Sequence, residues 1–276
     1  MIPCCHPMAK NEENNSLSPL VPRSSADTER SGMNTDAIIE ARHLTKSFLL
    51  SDHRTMLARL AAHVRRGAEK PDHLVAVNNV SFTVGSGEVL CIVGRNGSGK
   101  STLLRMIAGI YRPTAGSVVV RGRMVPLINL GTGMQHRMSV RDNVYIMCSL
   151  LRMERAAIDA AFDSIIEFGE LQSYVDMEVY RLSNGLQQRL GFSIAVHSNP
   201  EVLLLDEVLS AGDAEFQEKS RRKMEELIAR STAVILTTHN TKFIPKISRR
   251  MLWLDEGRVR LEGELDRVME AYLSAS

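Results

Sequence analysis

The segment Gly94-Arg95-Asn96-Gly97-Ser98-Gly99-Lys100-Ser101 constrains this chain more than any other. It follows an apolar run, Val89-Leu90-Cys91-Ile92-Val93, and precedes an apolar-periodic stretch from Thr102 to Ile110. Strand, glycine-rich turn and helix in that order, with the spacing G-x-x-x-x-G-K-[ST], make a phosphate loop. Its glycines let successive backbone N–H groups converge on one anion, and the N-terminus of the following helix faces the same point. Lys100 is expected to bring its charge to the β- and γ-phosphates, and the Ser101 hydroxyl to ligate magnesium. Gly94, Arg95, Asn96, Gly97, Ser98, Gly99, Lys100, Ser101 and Thr102 are therefore candidate nucleotide-binding residues.

A second apolar run, Val202 to Leu205, ends in Asp206-Glu207. In a parallel sheet that places two carboxylates at the carboxyl edge, where open α/β folds bind ligands. Asp206 is expected to hold magnesium through water, and Glu207 to orient and deprotonate an attacking water as general base. Acid pairs after strands also serve as helix caps, and it is the phosphate loop in the same chain that favours catalysis.

Around these motifs the chain reads as one α/β domain over 36–276 with an inserted helical lobe over about 136–199. Strand patterns run from Ile38 to Phe48, Val75 to Val84, near 117–129, 202–206 and 233–237. Asp255-Glu256-Gly257 marks a hairpin turn before a short terminal helix. Helical patterning dominates from Val140 to Asn199, with Ile158, Ala161, Phe162, Ile165 and Ile166 on one face. Residues 1–35 lack apolar periodicity and a signal-peptide core, and are expected to be a disordered tail before the patterned stretch that Met33 opens.

Between the first two strands lies an insertion, Ser51 to His73. There Met56, Leu57, Leu60 and Val64 recur at helical spacing among Arg54, Arg59, Arg65 and Arg66. Two readings stay open for it: a solvated helix folded back on its own domain, or a contact with a membrane protein or acidic lipid headgroups. A net charge of +2 leaves no electrostatic argument for nucleic acid. Apolar runs far shorter than about 20 residues leave no membrane span. Cys91 and Cys148 lie in apolar segments and read as reduced core thiols, which fits a cytoplasmic protein. Cys4-Cys5-His6 offers three potential metal ligands, with incidental placement the plainer reading.

Leu182-Ser183-Asn184-Gly185-Leu186-Gln187-Gln188-Arg189 brings in a resemblance. Physically, Ser183 is an N-cap for a helix running to about Ser198, so Asn184 and Gly185 can offer N–H groups to a second anion. The segment resembles the LSGGQ signature of ATP-binding cassette proteins, some 20 residues before the acids. That resemblance implies a P-loop NTPase cassette with a RecA-like core, an antiparallel β subdomain and an inserted α-helical subdomain. It implies ATP and Mg2+ as ligands, and a head-to-tail homodimer in which Ser183, Asn184 and Gly185 grip the γ-phosphate held by the other subunit.

It further implies that Gln135 is the Q-loop glutamine, sensing magnesium and communicating with a permease, and that His239 is the switch histidine at the γ-phosphate. Ser210-Ala211-Gly212-Asp213 resembles the loop crossing the dimer interface, and Asp213 is also a plausible helix cap. Phe48 sits where the family places an adenine-stacking aromatic, and a core role stays equally open. Asn184 and Leu186 depart from the signature glycine and glutamine, which leaves the interfacial contact open.

The phosphate-loop sequence Gly94-Arg95-Asn96-Gly97, the insertion after the first strand, and Asp206-Glu207-Val208 followed by Gly212-Asp213-Ala214-Glu215-Phe216-Gln217 are similar to the branch exporting O-antigen, capsule or teichoic acid. The expectation is a peripheral ATPase on the cytoplasmic face of the bacterial inner membrane, working with a separate integral-membrane permease. The stretch after the hairpin leaves no room for the carbohydrate-binding β-sandwich that some members of that branch append. A cassette ATPase of translation or DNA repair is the competing class. It would need a second cassette or a long heptad insertion, and this sequence has neither.

Overall fold

The computed structural model describes residues 37–49, 73–128, 131, 133–206, 214–238 and 244–275. Asp36–Ser276 falls in one compact unit. Strands β1 (Ala37–Leu49) and β2 (His73–Gly85) pair antiparallel from Ala37 opposite Gly85 to Leu49 opposite His73. The strand β4 (Ala115–Val120) joins the far side of β1, completing a three-stranded sheet in the order β2-β1-β4.

The second sheet uses β3 (Glu88–Val93), β5 (Met124–Leu127), β6 (Val202–Asp206), β7 (Ala233–Thr237), β8 (Arg250–Asp255) and β9 (Arg258–Glu264). Their order is β5-β6-β7-β3-β8-β9, parallel except for the β8–β9 hairpin. Glu256 and Gly257, at φ 47° and 76°, close that hairpin with the two left-handed residues of a type I′ turn.

The central strands read as unbroken apolar runs because both of their faces are covered. Leu90, Ile92, Leu204 and Ile235 pack toward Ile39, Leu44 and Phe82 of the antiparallel sheet and toward Leu103, Leu104 and Ile107 of helix α1 (Lys100–Ile107). Leu203, Leu205, Val234 and Leu236 point the other way, onto Phe192, Phe216 and Met224. Fully burying a Leu or Val side chain contributes about 1.5–3 kcal/mol, so a one-residue slip that reversed these faces would be strongly opposed.

Helices α2 (Val140–Leu150), α3 (Arg155–Gly169) and α4 (Asn184–His197) form a block around Val140, Val144, Ile158, Ile165, Ile166 and Leu190, with Ala161 and Phe162 partly buried against it. A reciprocal capping box between Ser139 and Asp142 starts α2. Residues 190–196 of α4 are all buried: Leu190 and Ile194 face this block while Phe192, Ala195 and Val196 join the sheet core. That helix welds the two regions together. The remaining helices are α5 (Ala214–Arg230), α6 (Ile244–Ile247) and α7 (Leu265–Ala275). Among the described residues, no helix is long and apolar enough to cross a membrane.

Two boundaries differ from the sequence reading. The helix after the phosphate loop begins at Lys100 and stops at Ile107 rather than spanning Thr102 to Ile110. Gly109, at φ 73°, donates to Met106 O while Ile110 donates to Arg105 O, a Schellman motif that ends the helix despite the continuing apolar period. The strands expected near 117–129 are β4 and β5, and they fall in different sheets, since the chain crosses between layers at Arg121–Arg123. His73, assigned to the insertion, opens β2. The rest of the insertion and the expected N-terminal tail lie outside the described residues.

Candidate nucleotide-binding site

The phosphate loop leaves the carboxyl end of β3 in the middle of the parallel sheet and enters α1 through Gly99. Gly99 has φ 102°, and a Cβ there would lie 2.3 Å from Ala76 O on β2; a Cβ on Gly94 would lie 2.1 Å from Leu254 O on β8. Neither position admits a side chain, so neighbouring strands press the loop into its curve. A third brace comes from the β8–β9 turn, where the Gly257 N–H donates to Ser98 O at 3.0 Å and Gly257 O accepts from the Asn78 N–H at 2.7 Å. The Ser98 hydroxyl is buried with no hydrogen-bond partner. The first N–H groups of α1 have no acceptor within the helix. A buried unsatisfied hydroxyl beside the first amides of a helix fits a site built for an anion.

Lys100 Nζ donates to Gly94 O at 2.7 Å and Arg95 O at 3.1 Å, which holds the ammonium across the mouth of the loop. Burial lowers the Lys100 pKa, while the Asp206 charge pulls it back up.

Asp206 ends β6, and β7 lies between β6 and β3, so Thr237 stands opposite both Asp206 and Ile92 in register. Thr237 Oγ1 donates to Asp206 Oδ1 at 2.6 Å, and Ser101 Oγ donates to the same oxygen at 3.4 Å. The hydroxyl and carboxylate expected to share a cation are thus neighbours. Thr237, almost fully buried, is a candidate site residue that the sequence reading passed over. Its signal was a hydroxyl at the end of an otherwise apolar strand.

Ser183 caps α4, its Oγ accepting from the Leu186 N–H at 3.3 Å, with Asn184 exposed and Gly185 half-buried. Leu186 packs partly buried against the helical block, so the residue departing from the signature serves the core of that block. Among the described residues, no hydrogen bond or ion pair joins Ser183, Asn184 or Gly185 to the phosphate loop. Gln135 is exposed, and its backbone N–H donates to Asn143 Oδ1 at 2.7 Å. Phe48 is half-buried outside the core clusters, edge-on to Tyr111 with centroids 5.6 Å apart and with Lys46 Nζ 5.2 Å from its centroid. Glu207, His239 and the 210–213 segment lie outside the described residues.

Between the end of α1, β5, α2 and α4 lies a largely apolar cleft of about 470 Å³, lined by Ile110, Tyr111, Pro126, Leu150 and Ile194 with Arg105 at its side. Ile110 and Leu150 are among the most exposed large apolar side chains described, at 54% and 65%.

A family model described as "ABC transporter" matches residues 77–210. The O-antigen export system ATP-binding protein RfbB of Klebsiella pneumoniae is 34% identical over 241 residues, covering 86% of this chain and 98% of that protein. The teichoic acids export ATP-binding protein TagH of Lactococcus lactis is 34% identical over 241 residues, 87% of this chain and 52% of that longer protein. A solved ATP-binding subunit of an ABC transporter aligns with TM-score 0.66 at 17% identity, over 85% of this chain and 93% of its own. A dimeric ATP-binding cassette in a post-hydrolysis state, bound to ADP and Pi, aligns with TM-score 0.63 at 20% identity, over 82% of this chain and 98% of its own.

Proposed function

This chain belongs to the ABC transporter ATP-binding family, and from that membership we propose that it hydrolyses ATP to drive export of a lipid-linked surface polysaccharide through a separate membrane permease. The observation that carries the ATPase half is the triangle of Lys100, Ser101 and Asp206 at one edge of the sheet, with Thr237 holding the carboxylate. The cargo class rests on the relatives named for O-antigen and teichoic acid export.

The loop amides and Lys100 bind the phosphates of ATP, and Phe48 offers a ring to the base. Ser101 Oγ and Asp206 are hard oxygen ligands that suit Mg2+, which would neutralise charge on the phosphates when bound. Glu207, the residue after Asp206, orients a water and accepts its proton at the carboxylate, while His239 and Gln135 contact the γ-phosphate side of the site. Ser183, Asn184 and Gly185 present the N-terminus of α4 to the nucleotide of a second copy, which accounts for an anion-binding cap away from this chain's own phosphate loop.

The apolar cleft beside the Gln135 loop is where the permease docks. Exposed Ile110 and Leu150 supply apolar surface there, and the Cβ-equivalent position of Gly133 lies within 3.2 Å of Met147 and 3.8 Å of Leu150, so a partner in the cleft adjoins the loop. The chain then works at the cytoplasmic face of the membrane.

The test is Glu207→Gln in purified protein together with deletion of the gene in its host. The variant should bind ATP, lose turnover and collect as an ATP-bound dimer on gel filtration. The deletion should remove a surface glycan and leave lipid-linked material inside. Wild-type turnover in the variant defeats the catalytic assignment; an unchanged cell surface with transport of another solute abolished defeats the cargo.

A further inference from the structure

Asn143, in the first turn of α2, is completely buried and is polar, an expensive combination unless every group is satisfied. The hydrogen bonds of its side chain all go to one backbone segment. Oδ1 accepts from the Gln135 N–H at 2.7 Å, and Nδ2 donates to Gln135 O at 3.0 Å, Met138 O at 3.3 Å and Ser139 O at 2.8 Å. The Gln135 peptide is therefore held on both sides by one amide.

The segment so held is itself one side of a short backbone ladder. Val179 donates to Met138 O at 3.0 Å, Tyr180 to His136 O at 2.9 Å, and Val140 to Met177 O at 2.9 Å, with a bridge between Ser139 and Glu178. From there Gln187 Nε2 donates to Val179 O at 3.2 Å and Leu182 O at 3.1 Å, next to the Ser183 cap. Hydrogen bonds thus run without interruption from Gln135 through Asn143 and the ladder to Ser183.

We propose that Asn143 is a positioning residue that binds the Gln135 loop and the Ser183 loop into one body, so that the two cannot shift independently. This rests on the reading of both loops as nucleotide-facing. A loop facing the nucleotide of its own subunit then moves together with one facing the nucleotide of the second copy, and loosening either loosens both. Asn143 is fully buried, and its part is to hold backbone.

The test compares Asn143→Ala with Val144→Ala, the adjacent fully buried residue on the same helix, which makes none of these hydrogen bonds. Gln187→Met is added, removing the far end of the chain of bonds at a half-buried position. Amide hydrogen exchange of residues 133–139 and 178–186, and the kcat and KM of ATP hydrolysis, are measured well below each melting temperature. Asn143→Ala should speed exchange in both segments while leaving the hydrogen-bonded amides of Leu103–Ile107 protected. It should lower kcat by about tenfold or more with KM for ATP within about twofold, as expected for loss of alignment. Gln187→Met should loosen 133–139 as well as 178–186, and Val144→Ala should keep kcat near wild type at a comparable loss of melting temperature. Exchange confined to the mutated side, or equal kcat loss in Val144→Ala, overturns the proposal. If Asn143→Ala does not fold, Gln187→Met decides by whether 133–139 loosens. A wild-type protein without ATPase activity defeats the nucleotide reading, and the exchange results still decide whether the loops form one body.

Discussion

Gly257→Ala probes the brace under the phosphate loop from a turn outside the loop itself. Gly257 has φ 76°, and a Cβ there would lie 2.8 Å from Ala76 O and 3.2 Å from Val77 Cα, both backbone atoms of β2. Two effects add. A left-handed alanine costs about 1–2 kcal/mol relative to glycine. The Cβ must also push the turn away from β2, which strains the bond from the Gly257 N–H to Ser98 O; such a bond contributes about 0.5–1.5 kcal/mol net.

Gly87→Ala separates the two, because Gly87 has φ 75° and nothing within 4 Å of its added Cβ. With about 2–4 °C per kcal/mol for a domain of this size, Gly87→Ala should lower Tm by roughly 2–8 °C, and Gly257→Ala by several degrees more. Only Gly257→Ala should weaken ATP binding, by about threefold to tenfold if most of the strained bond is lost, since about 1.4 kcal/mol is tenfold. Differential scanning fluorimetry gives the first quantity and titration with a fluorescent nucleotide the second. Equal ATP affinity in the two variants would falsify the claim that the hairpin turn shapes the phosphate loop.

Thr237→Val keeps the shape at a fully enclosed position and removes the donor to Asp206 Oδ1. It should cost about 1–3 kcal/mol in urea unfolding and raise the magnesium concentration for half-maximal ATPase by about tenfold, and an unchanged magnesium titration refutes the orienting role. Burial pushes the thiol of Cys91 up to about 12 and that of Cys148 up to about 11 from 9.0. A raised folded pKa means that this part of the stability is whole below pH 9 and drains as the pH climbs through 11 to 12. Iodoacetamide at pH 8 should therefore label both peptides only after unfolding, and urea midpoints should fall above pH 9 less steeply in a Cys91→Ala, Cys148→Ala protein. Rapid native labelling of either peptide contradicts the burial.

Much of the candidate site at the sheet edge was legible because its signals are local. A phosphate loop needs consecutive residues, and Gly94 through Ser101 with an apolar run before them specify strand, turn and helix start without reference to the rest of the chain. Asp206 could be assigned for the same reason, as the acid ending an apolar run, and Ser183 as a cap followed by a helix. The unbroken apolar run Val202–Leu205 marked a strand buried on both faces, though not what covers each face.

What tertiary structure decided are the relations between segments distant in sequence. The strands near 117–129 follow one another closely, yet β4 and β5 belong to different sheets, because periodicity records burial and not the partner. Thr237 looks like any strand-end threonine until β7 is placed between β6 and β3, which turns its hydroxyl onto Asp206. Asn143 reads as an ordinary helix residue until burial removes water and turns its side chain to the Gln135–Ser139 backbone for partners. Gly257 reads as a turn residue, which it is, and only packing shows that the turn supports Ser98. The physical reason is common to all four: covalent neighbours set local conformation, whereas a hydrogen bond or a close approach across tens of residues exists only once loop closure and core burial have brought the segments together.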